Sequence, residues 1–232
     1  LMKKIVFTAI MLVCVLSMSA QDKRVSRVSG GMYVKGGLSW FMSDNKRYVE
    51  NEKVKMSYGF GAVMNYRFTN NFALDISGGY SCIGGTANFI NGTMPFEDID
   101  NTLIGGPTIN KYKYTNSYIE LPIAIQGRTN EIGYFTYFLK LGATPMVRIK
   151  SKIAPDLEAR TATKQTYLFS AGWTVGAGFE MTLVGNTRLL VEVDYLGTLT
   201  DLDKIKTIKD DLTELNPSIK INDVALKVGI LF

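Results

Sequence analysis

Along most of this chain apolar side chains recur at every second residue. From 56 to 68 the even positions, Met56, Tyr58, Phe60, Ala62, Met64, Tyr66 and Phe68, are all apolar or aromatic, while the odd positions are mostly small or polar. Alternation that strict predicts a β-strand with two unlike faces. After Thr69-Asn70-Asn71 it resumes, with Phe72, Leu74, Ile76 and Tyr80 opposed to Ala73, Asp75, Ser77 and Gly79. The same period predicts six further strands, over about 31–42, 116–128, 134–149, 167–183, 187–199 and 219–232.

Eight is an even number, and each segment has the ~9–11 residues that a tilted strand needs to cross a bilayer. Short connections at 69–71, 129–133 and 184–186 alternate with long ones at 43–55, 83–115, 150–166 and 200–218. That rhythm predicts an all-β fold: an eight-stranded antiparallel up-and-down transmembrane β-barrel with periplasmic turns and external loops. The competing reading is a soluble lipocalin-type barrel, apolar inside and polar outside. Aromatic residues argue against it. They collect at the two ends of the apolar face, with Tyr66, Phe68, Phe72, Phe135, Phe179 and Phe232 at one level and Trp40, Tyr58, Tyr80, Phe169 and Tyr195 at the other. Two such bands match interfacial girdles. The last strand ends on Phe232 with apolar residues at alternate positions before it, which resembles the signal read by the outer-membrane assembly machinery.

Turning the polar face inward puts Lys35, Arg67, Arg128, Lys140, Arg188 and Lys227 in the lumen together with Asp75, Glu120, Glu180, Glu192, Asp194 and Asp223. Buried charge is tolerated only when paired, and here the two signs balance. If each short hairpin closes in its simplest register, Arg67 lies diagonal to Asp75, Glu120 to Lys140, and Glu180 to Arg188, within reach of long side chains. An eight-stranded barrel is just wide enough for side chains to fill. The expected lumen is therefore a salt-bridged plug, with an ion-selective pore as the rival. Gly36, Gly37, Gly78, Gly79, Gly172, Gly176 and Gly178 are expected to make room for curvature and for inward bulk.

Composition changes this picture at three points. Among 232 residues, 46% are hydrophobic and mean hydropathy is only +0.06, because two opposite faces average out. There is no histidine, which removes the commonest general base and metal ligand. No catalytic site, metal site or cofactor is expected, and the histidine-dependent acyl-modifying chemistry of some outer-membrane barrels has no residue to run it. Met2-Lys3-Lys4, the apolar run 5–16 and Ser17-Met18-Ser19-Ala20 form a secretory signal peptide over 1–20. A short segment over 21–30 then leads into the barrel at 31–232. Cleavage would remove Cys14, leave Cys82 without an internal partner, and lower the formal charge from +5 to a value too mild to suggest nucleic acid.

The loops carry weaker signals. Lys111 and Lys113 continue a strand above the membrane near the basic run Arg148-Ile149-Lys150-Ser151-Lys152, so Lys111, Lys113, Arg148 and Lys150 are candidate contacts to lipopolysaccharide or other lipid headgroups. Asn91-Gly92-Thr93 is formally a glycosylation acceptor but belongs to a bacterial-looking exported chain. Ile205, Ile208, Leu212 and Leu215 have helical spacing after Asp201 and Asp203, and predict a short helix over the mouth.

One stretch has a more particular likeness. Tyr118-Ile119-Glu120-Leu121-Pro122 places a proline inside a predicted strand, where it is unusual. The stretch resembles the Tyr-x-Glu-x-Pro element of the PorT-like outer-membrane barrel family of Bacteroidetes. The resemblance implies an outer-membrane barrel of unassigned role. In one branch it implies association with subunits of the type IX secretion and gliding machinery.

Overall fold

The computed structural model describes residues 27–43, 49–89, 111–155, 160–161, 167–201, 207–208, 214–215 and 218–232. The expected signal peptide and the Asn91 acceptor lie outside them. Nine strands make up a ring: β1 (Val28–Ser43), β2 (Lys55–Arg67), β3 (Phe72–Phe89), β4 (Lys111–Glu120), β5 (Ile123–Arg128), β6 (Phe135–Pro155), β7 (Phe169–Thr182), β8 (Arg188–Thr198) and β9 (Ile219–Leu231). All pairings are antiparallel. Apart from β4 and β5, each strand bonds to the next in sequence, and β1 bonds to β9, from Gly31 opposite Leu231 to Ser43 opposite Ile219. That last ladder closes the barrel and leaves the ring no edge.

Nine strands fill eight places. β4 and β5 both pair with β3 on one side and β6 on the other, so together they are the single strand expected over 116–128. Pro122 accounts for the interruption. It has no N–H to give the ladder, and Pro145 stands in the facing strand, where its carbonyl accepts the Leu121 N–H at 3.0 Å. Pro122 still accepts a bond from the Ser77 N–H at 2.9 Å, so the ladder is thinned but not lost.

Several strands run further than alternation suggested. β3 reaches Phe89 and β6 reaches Pro155, and Val49–Lys53 adds a rung to the upper part of β3. The hairpin between β5 and β6 closes later than expected. Thr129 donates to the Tyr137 carbonyl at 2.9 Å, and the turn itself sits at Gly133, where φ is +66°. This displaces the register, so that Glu120 faces Met146 while Lys140 faces Gln126. The helix expected near the C-terminus is also corrected. Within it, Thr207 and Ile208 pair with Leu215 and Glu214 as a two-rung ladder, in keeping with the β-preference of Thr and Ile.

Burial is inverted relative to a soluble barrel. Leu139, Leu141, Val34 and Phe60 are more than half exposed on the outside, whereas Glu120, Glu180, Glu192 and Gln126 are among the largest fully buried side chains. The lipocalin reading is excluded by this. Ring pairs mark both ends of the outer wall, with Phe68 on Phe72 and Phe135 on Phe179 toward the short turns, and Trp40, Tyr195 and Trp173 in a row toward the loops.

Gly133 has open space where a Cβ would stand, so its substitution reports backbone strain alone. Gly133→Ala should lower unfolding stability by about 1 kcal/mol, measured by urea unfolding in detergent micelles. An unchanged midpoint would mean that the turn does not need its positive φ.

Candidate functional site in the barrel lumen

All twelve charged residues expected inside do lie on the inner wall, and they fall into two groups. The middle group is held together by three lysines. Lys140 Nζ touches Glu192, lies 3.3 Å from Asp194 Oδ1 and lies 3.8 Å from Asp75 Oδ1. Lys227 Nζ is 3.1 Å from Asp194 Oδ2 and 3.4 Å from Glu192 Oε2, and it sits over the Tyr33 ring. Lys35 Nζ is 2.6 Å from Glu120 Oε2, and Ser81 donates its hydroxyl to the other oxygen of that carboxylate. Asp223 is buried nearby.

The lower group lies at the strand ends beside the short turns. Glu180 Oε2 accepts from Arg128 Nη2 at 2.8 Å and from Arg188 Nη1 at 2.7 Å. Arg67, the last residue of β2, stands close to both arginines. The balance of signs expected for the whole lumen therefore hides a segregation by level. The middle holds three lysines against five carboxylates, and the lower end three arginines against one.

Of the three predicted pairs, only Glu180–Arg188 forms. Arg67 does come diagonal to Asp75, because Arg67 faces Ala73 and Asn65 faces Asp75. Asp75 instead takes Lys140 and the Ser77 hydroxyl. Glu120 misses Lys140 because of the late hairpin and finds Lys35. That partner is 85 residues away in sequence, on a strand that is not its neighbour.

Apolar side chains on the inner face, which alternation alone does not reveal, pack beside these charges. Phe41, Ile83, Tyr114, Tyr118, Met146 and Leu196 belong to a buried cluster toward the loops, where the Phe41 and Tyr114 rings meet edge to face at 5.3 Å. A smaller one, of Tyr33, Val63, Phe138, Leu190 and Leu231, lies toward the turns. Their signal in the sequence is an apolar residue on the otherwise polar parity, such as Phe138 and Met146 on β6. Room for the Tyr33 ring comes from Gly61 and Gly79, at either of which a Cβ would stand within 3 Å of the Tyr33 hydroxyl. A small cavity remains between Lys35, Glu120, Pro122, Lys140 and Lys227, and only about 20 Å³ of it is open to the centre of a water molecule. That volume holds a water or two.

The basic residues near the loops separate. Lys113 and Lys150 are exposed, and Lys111 begins β4. Arg148 is 5% exposed and turned inward, which corrects its expected place at the headgroups. Alternation along β6 puts even positions inside as far as Arg148. A bulge opposite Ser117 and Tyr118 then flips the parity, so that Ser151 is inside and Lys150 outside. The Tyr118-x-Glu120-x-Pro122 element occupies three successive inward positions, one in the loop-side apolar cluster, one in the ion network and one at the strand break.

A closed antiparallel ring with a lipid-facing apolar belt and a charged interior defines an outer-membrane β-barrel. Residues 20–204 match the outer membrane protein beta-barrel domain family, and the chain belongs to it. It is accordingly a protein of the bacterial outer membrane. The match ends before β9, the strand that closes the ring. No curated protein matches the chain. Among solved structures, Ail of Yersinia pestis in complex with the heparin analogue sucrose octasulfate is 17% identical, with a TM-score of 0.43 over 89% of this chain and 100% of its own. OprG of Pseudomonas aeruginosa is 12% identical, with a TM-score of 0.43 over 87% of this chain and 94% of its own. Neisserial surface protein A is 8% identical, with a TM-score of 0.43 over 87% and 97%.

Breaking a buried pair strands a charge. Glu120→Lys should cost roughly 3 kcal/mol or more in unfolding stability. The double variant Lys35→Glu/Glu120→Lys should recover part of the loss, but not the Ser81 bond. If the double variant is no better than the single, Lys35 is not the partner that matters.

Proposed function

We propose that this chain is a sealed outer-membrane barrel whose role is structural or partner-binding, exercised at its external loops and periplasmic ends. The observation that carries this reading is the filled lumen. The ion network of Lys35, Lys140 and Lys227 with their carboxylates crosses the interior, and an apolar cluster lies on either side of it. For an ion to pass, it would have to displace paired charges and cross both apolar clusters. The rival, a small-solute pore, needs a continuous wet path, and the cavity beside Lys35, Lys140 and Lys227 is too small to be part of one.

The Tyr118-x-Glu120-x-Pro122 element supports a PorT-like affiliation, and with it a place beside secretion-machinery subunits. Its three residues serve the interior of the barrel, so any partner would have to read the loops or turns instead. The closing strand β9, apolar at alternate positions, suits recognition by the assembly machinery. The exposed Lys113 and Lys150 suit anionic headgroups of the surrounding lipid, lipopolysaccharide included. We assign no catalytic role: the chain lacks histidine, and Glu120, Glu180, Glu192, Asp194 and Asp75 are engaged with lysines or arginines.

The folded protein inserted into planar bilayers should give no stable unitary conductance. Phe41→Ala/Tyr114→Ala, which empties the loop-side cluster, should raise the leak without creating a regular channel. Discrete, ion-selective openings of the unaltered protein would overturn the sealed-barrel reading in favour of the pore.

A further inference from the structure

The lower end of the lumen is short of negative charge. Arg128 and Arg188 converge there on one oxygen of Glu180, and Arg67 ends a neighbouring strand at the same level. Ala73 faces Arg67 on one side and Gln126 on the other, which sets Arg67 and Arg128 on neighbouring rungs of the inner wall. Glu131 is exposed at the rim, where it accepts the Thr182 hydroxyl at 2.8 Å. Among the described residues Arg67 makes no ion pair, and its Nε and Nη2 are buried without a hydrogen-bond partner. Nη1 of Arg128 is in the same condition, on a side chain only 3% exposed. Buried guanidinium donors are costly to leave unpaired. Three arginines thus gather beside the turns around one buried carboxylate, Glu180, whose Oε1 is likewise without a hydrogen-bond partner.

We propose that this cluster binds a phosphate-type oxyanion at the periplasmic mouth of the barrel. The surplus of two positive charges matches a dianion better than a carboxylate. Planar guanidinium forks suit the oxygens of such a group, which a lysine would meet only as a point charge. The three arginines end or begin β2, β5 and β8, so the site opens toward the short turns. Val63 and Leu190 lie further up the same strands as Arg67 and Arg188, in the small apolar cluster, and Asp75, the carboxylate diagonal to Arg67, is turned to Lys140 and the Ser77 hydroxyl. The binding does not require the lumen to conduct. Free phosphate and the phosphate of an inner-leaflet lipid share this chemistry.

The test uses the full chain folded in alkyl maltoside micelles, which contain no phosphate. Calorimetric titration with sodium phosphate, against sodium chloride at matched ionic strength, should show saturable binding and a rise in unfolding temperature. Arg67→Gln should be at least as stable as the parent without phosphate, because it relieves repulsion, and should bind phosphate roughly tenfold or more weakly. Arg67→Lys keeps the charge but loses the fork, and should also bind more weakly. It serves as the readout if the glutamine variant does not fold. Vesicles of phosphatidylcholine with or without phosphatidic acid separate the two sources. Loss of phosphate binding only when phosphatidic acid is present would assign the site to a lipid headgroup, and unchanged binding would assign it to the free anion. Equal responses to phosphate and chloride, or variants that bind like the parent, would overturn the proposal.

Discussion

A bilayer offers no hydrogen bond to a bare strand edge, and that single constraint organises this molecule. It is met by the ladder between β1 and β9, which turns a sheet into a ring. Once the ring is closed, every strand has one wall in lipid and one in the lumen. The lipid side has to be apolar. The lumen of an eight-place ring is narrow, so whatever faces it is withdrawn from water. Charge placed there has to find opposite charge, which explains why Lys140 gathers Glu192, Asp194 and Asp75 around one ammonium group.

Pairing inside a ring obeys different rules from pairing along a sheet. Lys227 and Glu192 face each other across adjacent strands, as a ladder would have it. Most of the other contacts skip strands. Lys35 on β1 reaches Glu120 on β4, and Arg128 on β5 reaches Glu180 on β7. Such contacts brace the ring across its bore, and they tie its stability to residues of the inner wall. The apolar clusters beside the charges have a complementary effect: they exclude water and so strengthen the pairs they adjoin.

The segregation of charge by level gives the two ends of the barrel different chemistry. Carboxylates outnumber lysines in the middle, and arginines outnumber carboxylates at the turns. A fully balanced interior would be inert at both ends. An uneven one leaves a surplus at the periplasmic mouth, while Phe41, Tyr114 and their neighbours make the loop side apolar.

Alternation is a local property, and it determined by itself the lipid-facing side of most strands and how many strand places the ring has. It also determined that twelve charges would share the interior. Tertiary structure decided which of them meet. A hairpin that closes at Gly133 displaced the register and sent Glu120 to Lys35, and a bulge opposite Ser117 and Tyr118 left Arg148 inside while sending Lys150 out. The physical reason is reach. Parity needs only neighbours two residues apart, whereas a contact across the bore depends on the register of every intervening hairpin and on which strands the closed ring sets opposite each other.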